Sequence, residues 1–157
     1  LGEETPVPET AMAKRWLVKT DPARLTFDEL VEARRVTWEG VTQPQSLRTL
    51  RRMRRGDEVL VYHTGSQRAV VGVARVRKGA YVPPSADDGL HVVDLAPVEA
   101  LEHPVSLKAL RAVKGLSSWA LLRVPRLHVM PVPASAWRKV RMLGRRGGVP
   151  RRRARDP

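Results

Sequence analysis

Short clusters of apolar residues alternate with polar segments along this chain, and the pattern predicts a mixture of short strands and helices. Strands are predicted where β-branched and aromatic residues cluster, at residues 15–19, 35–38, 58–63, 69–77, 90–98 and 127–132. Helices are predicted where apolar residues recur every three to four positions, at 27–34, 46–53, 106–113 and 135–143. Thr26 followed by Glu29 is a capping-box pattern, which supports the start of the first helix. Because no regular strand–helix–strand alternation runs through the chain, an α+β fold is expected, with a partly closed, mostly antiparallel β-barrel surrounded by helices.

The two ends of the chain differ from the middle in composition. Residues 1–13 are rich in Pro and Glu and lack apolar periodicity, so a flexible leader is expected there. Residues 144–157 are mostly Arg, Gly and Pro, which predicts a disordered basic tail. The folded domain is therefore expected at 14–143, and 157 residues suit one domain with its own core.

The composition excludes several classes of site. The chain has no cysteine, so disulfides and thiolate metal sites are ruled out, and its four histidines lack metal-ligand spacing. We therefore expect neither a metal nor a cofactor. No apolar run approaches the roughly 20 residues of a membrane span, so no membrane partner is expected. A cytoplasmic bacterial monomer with access to the nucleoid is the resulting expectation.

The net charge of +13 points to a nucleic-acid partner, but it is unevenly distributed. Nine basic residues and no acidic residue lie between 138 and 155, whereas residues 13–137 hold 20 basic and 12 acidic residues. The domain itself is therefore basic. Arginine outnumbers lysine 23 to 6, which a GC-rich coding genome would also produce, so charge alone leaves both explanations open.

Sequence signatures of catalysis are missing. There is no dinucleotide-binding glycine motif, no phosphate-binding loop and no nucleophile elbow. Asp87 and Asp88 resemble solvated turn residues, and Asp57 follows Gly56 as a turn residue would. His63 has no carboxylate at a fixed short spacing that would orient it as a general base. A non-catalytic protein is predicted.

A nucleobase pocket is predicted around Trp38, because an indole offers a flat face for stacking and nearby amides can pair with a base edge. The predicted base contacts are Trp38, Gly40, Gln43, Gln45, Lys19, Thr20, Tyr62, His63 and Thr64. The predicted phosphate contacts are Arg48, Arg51, Arg52 and Arg126. Three of these have alternative interpretations: Trp38 could belong to the core beside a turn, Tyr62 could pack against the barrel, and Lys19 could extend its amine to solvent from a strand end. Trp16 and Trp137 suit the core.

Three segments together resemble the EVE domain, a member of the PUA-like superfamily that is related to the YTH domain. The segments are Trp16–Pro22, Trp38–Gln45 and Met53–Thr64. They are similar to the family patterns W-L-x-K-[ST]-[ED]-P, W-x-G-V-R-N-x-Q-A and M-x-x-G-D-x-x-x-x-Y-H-S, and the resemblance extends over about 15–143. It implies a PUA-like barrel and a non-catalytic module that accepts a flipped modified base, either a modified cytosine in DNA or a modified RNA base. By the same resemblance, Trp38 lines the pocket, Lys19 and Thr20 lie at its edge, and residues 62–64 lie on a neighbouring strand.

Two departures from the family pattern fall at the predicted site. Thr42-Gln43 stands where the pattern has Arg-Asn, so a guanidinium is missing and the amide reaches one methylene further. His128 stands where the pattern has Ser. Alternative functions are an RNA-processing or RNA-modifying enzyme of the same superfamily and a small-ligand sensor or interaction module.

Overall fold

A computed structural model describes residues 14–84 and 89–146 of the chain. The predicted leader, residues 147–157 of the predicted tail, and Asp87 and Asp88 lie outside the described residues. The strands are β1 (Arg15–Thr20), β2 (Val36–Trp38), β3 (Glu58–His63), β4 (Ala69–Tyr81), β5 (Val92–Ser106) and β6 (Val129–Pro131). The helices are α1 (Phe27–Ala33), α2 (Pro44–Leu50), α3 (Leu107–Arg111), α4 (Ala120–Arg123) and α5 (Ala134–Arg146).

The strands form one six-stranded sheet in the order β2-β5-β4-β3-β1-β6. Strands β1 and β3 are parallel, and each of the other neighbouring pairs is antiparallel. The curled sheet with its surrounding helices is a PUA-like half-barrel, so the predicted fold class is confirmed.

Each face of the sheet covers its own hydrophobic core, as the alternation of side chains along a strand requires. Trp16 and Val18 of β1 belong to a first core that includes residues of α1 and α2. Leu17, between them, belongs to a second core under α3, α4 and α5. The sheet is therefore buried on both sides.

Asp57 fixes the turn that leads into β3. Its buried carboxylate accepts hydrogen bonds from Trp16 Nε1 at 2.8 Å, from Arg54 N at 2.9 Å and from Lys14 N at 3.1 Å. Gly56, just before it, has φ +95°, a conformation that glycine adopts without strain. Asp57 is thus a structural turn residue that joins the starts of β1 and β3.

Several element boundaries differ from those predicted. Helix α2 begins at Pro44, two residues early, and ends at Leu50. Strand β5 continues to Ser106, whereas the predicted strand ended at residue 98, and α4 was not predicted. Helix α5 includes residues 144–146, which the prediction gave to the tail. Gly144 permits this, because a Cβ there would lie 3.0 Å from a Leu101 methyl group on β5.

Candidate nucleic-acid interface

A hollow of about 620 Å³ opens beside the C-terminal end of β1, next to β2 and the start of α2. Its size falls within the range of small-molecule sites. Its walls consist of Lys19, Thr20, Asp21, Arg24, Leu25, Val36, Thr37, Trp38, Glu39, Gly40, Val41, Thr42, Gln43, Thr64 and His128. Strand β1, the segment from β2 to α2, and the segment before β6 thus converge on one space.

Trp38 takes part in both the first core and the hollow. Its residue is only 6% exposed, and it packs in the first core. Trp16 and Trp119 each donate an indole hydrogen bond, to Asp57 Oδ2 and to Pro131 O. Across 14–84 and 89–146 no such partner is found for the Trp38 indole. The Trp38 ring is therefore fixed by packing at the wall of the hollow, and its indole N–H has no hydrogen-bond partner among the described residues.

Asp94 fixes the position of β2, the strand that carries Trp38. Its buried carboxylate accepts hydrogen bonds from Tyr81 Oη at 2.7 Å, from Arg35 Nη2 at 2.9 Å and from Thr37 Oγ1 at 3.0 Å. Burial by itself raises the pKa of Asp94, but the bonds from Tyr81, Arg35 and Thr37 outweigh it and hold the pKa below its usual value. The same carboxylate raises the pKa of the Tyr81 phenol. The charge-assisted hydrogen bonds from Arg35 and Thr37 to Asp94 therefore fix the position of β2 at the hollow.

Gly40 turns the chain from β2 towards α2. Its φ is +84°, and a Cβ at this position would meet no atom within 4 Å. Glycine is therefore needed for the backbone conformation and not for space. The turn directs Val41 into the first core and leaves Thr42 exposed at the wall of the hollow.

Gln43 has a structural role that the sequence prediction did not include. It is the N-cap of α2, and its Oε1 accepts a hydrogen bond from Ser46 N at 2.6 Å, while Pro44 occupies the first helical turn. The cap fixes which end of the amide is the oxygen. Gln43 can therefore present its NH₂ group as a donor to the hollow.

A chain of hydrogen bonds through Ser46 connects three walls of the hollow. Ser46 is fully buried, and its Oγ accepts a bond from His128 N at 2.8 Å. Lys19 N donates in turn to His128 O at 2.9 Å. The positions of Gln43, His128 and Lys19 are thus set by one continuous network.

Lys19 lies at the rim with its amine bound to the protein. Its Nζ donates to Pro125 O at 2.9 Å and lies 5.7 Å from the centre of the Tyr62 ring. Burial lowers the pKa of Lys19. The partner that a partly buried lysine requires is therefore a backbone carbonyl.

His128 lines the hollow beside Lys19, although it was not among the predicted base contacts. Partial desolvation and then the neighbouring Lys19 charge lower the pKa of His128. A neutral imidazole can both donate and accept a hydrogen bond. The sequence signal for it was the departure from the family's Ser at this position.

The two threonines of the predicted site also lie at the hollow. Thr20 Oγ1 donates to Leu25 O at 2.9 Å, and Thr64 N donates to Thr20 O at 2.9 Å. The first bond joins the end of β1 to the segment before α1, and the second joins the ends of the parallel strands β1 and β3. Of the nine predicted base contacts, six line the hollow: Lys19, Thr20, Trp38, Gly40, Gln43 and Thr64.

Three predicted base contacts do not line the hollow, and the prediction needs correction for them. The Tyr62 side chain lies in the second core, because alternation along β3 directs it to the other face of the sheet. His63 Nε2 accepts a bond from Phe27 N at 3.0 Å, and its Nδ1 lies 2.8 Å from Gln67 Oε1, so both ring nitrogens are used within the fold. Gln45 is exposed on α2, outside the walls.

The four predicted phosphate contacts, Arg48, Arg51, Arg52 and Arg126, are exposed, and none of them lines the hollow. Arg126 follows Pro125, whose carbonyl binds Lys19 at the rim. Helix α2 leads away from its capped start at the hollow, and Arg52 lies beyond its far end, 5.3 Å over the Trp16 ring. The phosphate-contact role of all four arginines stays a prediction.

The described residues contain no group of three or more His, Cys, Asp or Glu side chains able to hold a metal ion. Within those residues, no helix has the length and apolar character that crossing a membrane requires.

Comparison with known proteins gives a consistent family match. The EVE domain model matches residues 14–143. Rpa0253 from Rhodopseudomonas palustris is 31% identical, with a TM-score of 0.79 over 92% of this chain and 100% of that protein. Atu2648 from Agrobacterium tumefaciens is 28% identical, with a TM-score of 0.80 over 84% and 93%.

A human structure shares the fold at lower identity. Human THYN1, solved in complex with DNA containing 5-methylcytosine, is 20% identical, with a TM-score of 0.74 over 84% of this chain and 98% of that one. No curated protein matches the chain.

Proposed function

The chain belongs to the EVE domain family, and from this membership we propose that it is a non-catalytic module that binds nucleic acid and accepts a flipped, modified base in the hollow beside Trp38. The observation that carries the proposal is the placement of a held indole at the wall of a hollow of about 620 Å³, among polar groups from three segments of the chain. The human relative's complex with 5-methylcytosine DNA supports modified cytosine in DNA as the first substrate to test, with a modified RNA base as the second.

The energetics of base flipping suit this arrangement. Removing a base from the duplex costs a few kcal/mol. Stacking on an aromatic side chain returns about 1–3 kcal/mol per base. The NH₂ of Gln43 and the neutral ring of His128 are the groups that we expect to read the edge of the stacked base. Arg126 and the other exposed arginines supply sequence-independent attraction to phosphate.

The non-catalytic part of the proposal rests on the state of the potential catalytic groups. His63 is engaged on both nitrogens, and Asp57 accepts three hydrogen bonds from the protein. Asp21 Oδ1 at the hollow accepts a bond from Ala23 N. The expected result is therefore no turnover of DNA or RNA oligonucleotides, and product formation would favour an RNA-processing or RNA-modifying enzyme. Failure to bind any oligonucleotide at low salt would instead favour a small-ligand sensor.

The decisive experiment removes the aromatic plane but keeps apolar volume in the core. Trp38→Leu is compared with the unchanged protein by fluorescence anisotropy on duplexes that differ only in cytosine methylation. Loss of the stacking energy predicts a fall of about 5- to 150-fold in affinity for the methylated duplex and little change on the unmodified one.

Arg126→Gln is the control, because removing an exposed guanidinium that we propose contacts phosphate should weaken binding to both duplexes alike. Circular dichroism checks that each variant is folded. Equal weakening on both duplexes by Trp38→Leu would contradict the proposal.

A further inference from the structure

A second, shallower groove lies on helix α5 and is lined by cationic and apolar side chains. Its volume is about 600 Å³, and its lining residues are Arg15, Trp137, Arg138, Arg141, Met142 and Arg145. Three of the arginines share one stripe of α5, because positions i, i+3 and i+7 lie on one helix face. Arg15 contributes from the start of β1. Among the residues that the structure describes, no carboxylate lines this groove.

Two of the four arginines in the groove form an ion pair with a glutamate, and the other two form none with a described residue. The Arg15 guanidinium stacks 4.7 Å from the centre of the Trp137 ring and pairs with Glu58 at 3.2 Å. Arg141 pairs with Glu99. Arg138 and Arg145 form no ion pair with any described residue, so the groove keeps an excess of positive charge.

The groove is separate from the hollow beside Trp38. Arg15 is the first residue of β1, whereas Lys19 and Thr20, at the hollow, are its last two residues. Because an extended strand rises about 3.3 Å per residue, Arg15 and Thr20 lie roughly 16 Å apart. The two sites therefore lie at opposite ends of the same strand and share no lining residue.

We propose that the groove on α5 binds phosphate groups of a nucleic-acid backbone, as a second contact surface that acts independently of the base. Guanidinium groups match phosphate geometry and bind it bidentately. The groove is also continuous in sequence with a longer basic segment, because nine basic and no acidic residues lie between 138 and 155. Such a segment attracts a polyanion through counterion release.

The salt dependence of binding to an unmodified duplex tests the proposal. R138Q/R145Q removes the two unpaired charges from the full-length protein and leaves the ion pairs of Arg15 and Arg141 in place. The magnitude of the slope of log Kobs against log salt should fall by about 0.9 for each phosphate that the variant no longer neutralises. The ratio of affinities for methylated and unmethylated duplexes should stay constant, because the hollow is unchanged.

R77Q/R111Q is the matched control, since it also removes two exposed arginine charges but neither residue lines the groove. An unchanged slope in R138Q/R145Q, or an equal change in the control, would overturn the proposal. Because the readout uses unmodified DNA, it stays informative if the protein shows no preference for a modified base.

Discussion

Replacing Ser46 by alanine tests whether the network behind the hollow positions its walls. The substitution removes only the Oγ that accepts from His128 N at 2.8 Å, and it leaves the Gln43 cap of α2 intact. Ser46 is 0% exposed, so water cannot readily replace the missing acceptor.

The cost follows from leaving the His128 N–H without a partner. An unsatisfied buried donor costs about 1–3 kcal/mol. For a protein of this size each kcal/mol lowers Tm by about 2–4 °C, so a decrease of about 2–12 °C is expected. Because Lys19 N is bonded to His128 O, the rim should also loosen, and binding to the methylated duplex should weaken more than binding to the unmodified one.

Thermal unfolding followed by circular dichroism measures the stability change. Thr49→Ala is the matched control, because its hydroxyl on the same helix only donates to Gln45 O and its removal should shift stability by no more than about 0.5 kcal/mol. Equal Tm values for the two variants would refute the reasoning that Ser46 holds His128 in place.

Two further predictions concern the sheet itself. In Gly72→Ala the new Cβ would lie 2.5 Å from the buried Phe27 ring. Overpacking of this kind should lower the free energy of unfolding by about 1–3 kcal/mol, which urea denaturation measures. An unchanged free energy of unfolding would show that the ring moves aside freely. Because the folded pKa of Asp94 lies below its ordinary value of 3.8, its stabilising contribution is fully present above that pH and is lost as the pH falls through the folded pKa. Unfolding free energies of the unchanged protein and Asp94→Asn should therefore differ most near neutral pH and converge below pH 3.8, and a constant difference across this range would contradict the assignment.

Local sequence patterns predicted the elements whose determinants lie within a few residues of each other. In the capping box of α1, Glu29 N donates to Thr26 Oγ1 at 3.1 Å and Thr26 N donates to Glu29 Oε1 at 2.8 Å, as the two residue types indicated. Strands β1 and β3 begin at Arg15 and Glu58, as predicted, each one residue before an apolar run. Helix α4 was missed because four residues are too few to show a helical period.

The site was harder to predict because it depends on which face of the sheet each side chain occupies. Trp38 and Thr64 meet at the hollow, whereas Tyr62 lies on the opposite face of the sheet. Alternation along β3 separates Tyr62 from Val59 and Val61 of the first core, but the sequence alone does not show which of the two faces carries the site. The role of Gln43 as a cap was likewise hidden, because glutamine is not among the favoured N-cap residues.

The two outermost strands of the sheet, β2 and β6, are each three residues long, and β6 ends at Pro131. An edge this short offers a second copy few free backbone groups to pair with, and proline lacks the N–H that such pairing needs. Edge-to-edge pairing between copies of the chain is therefore disfavoured at both edges of the sheet.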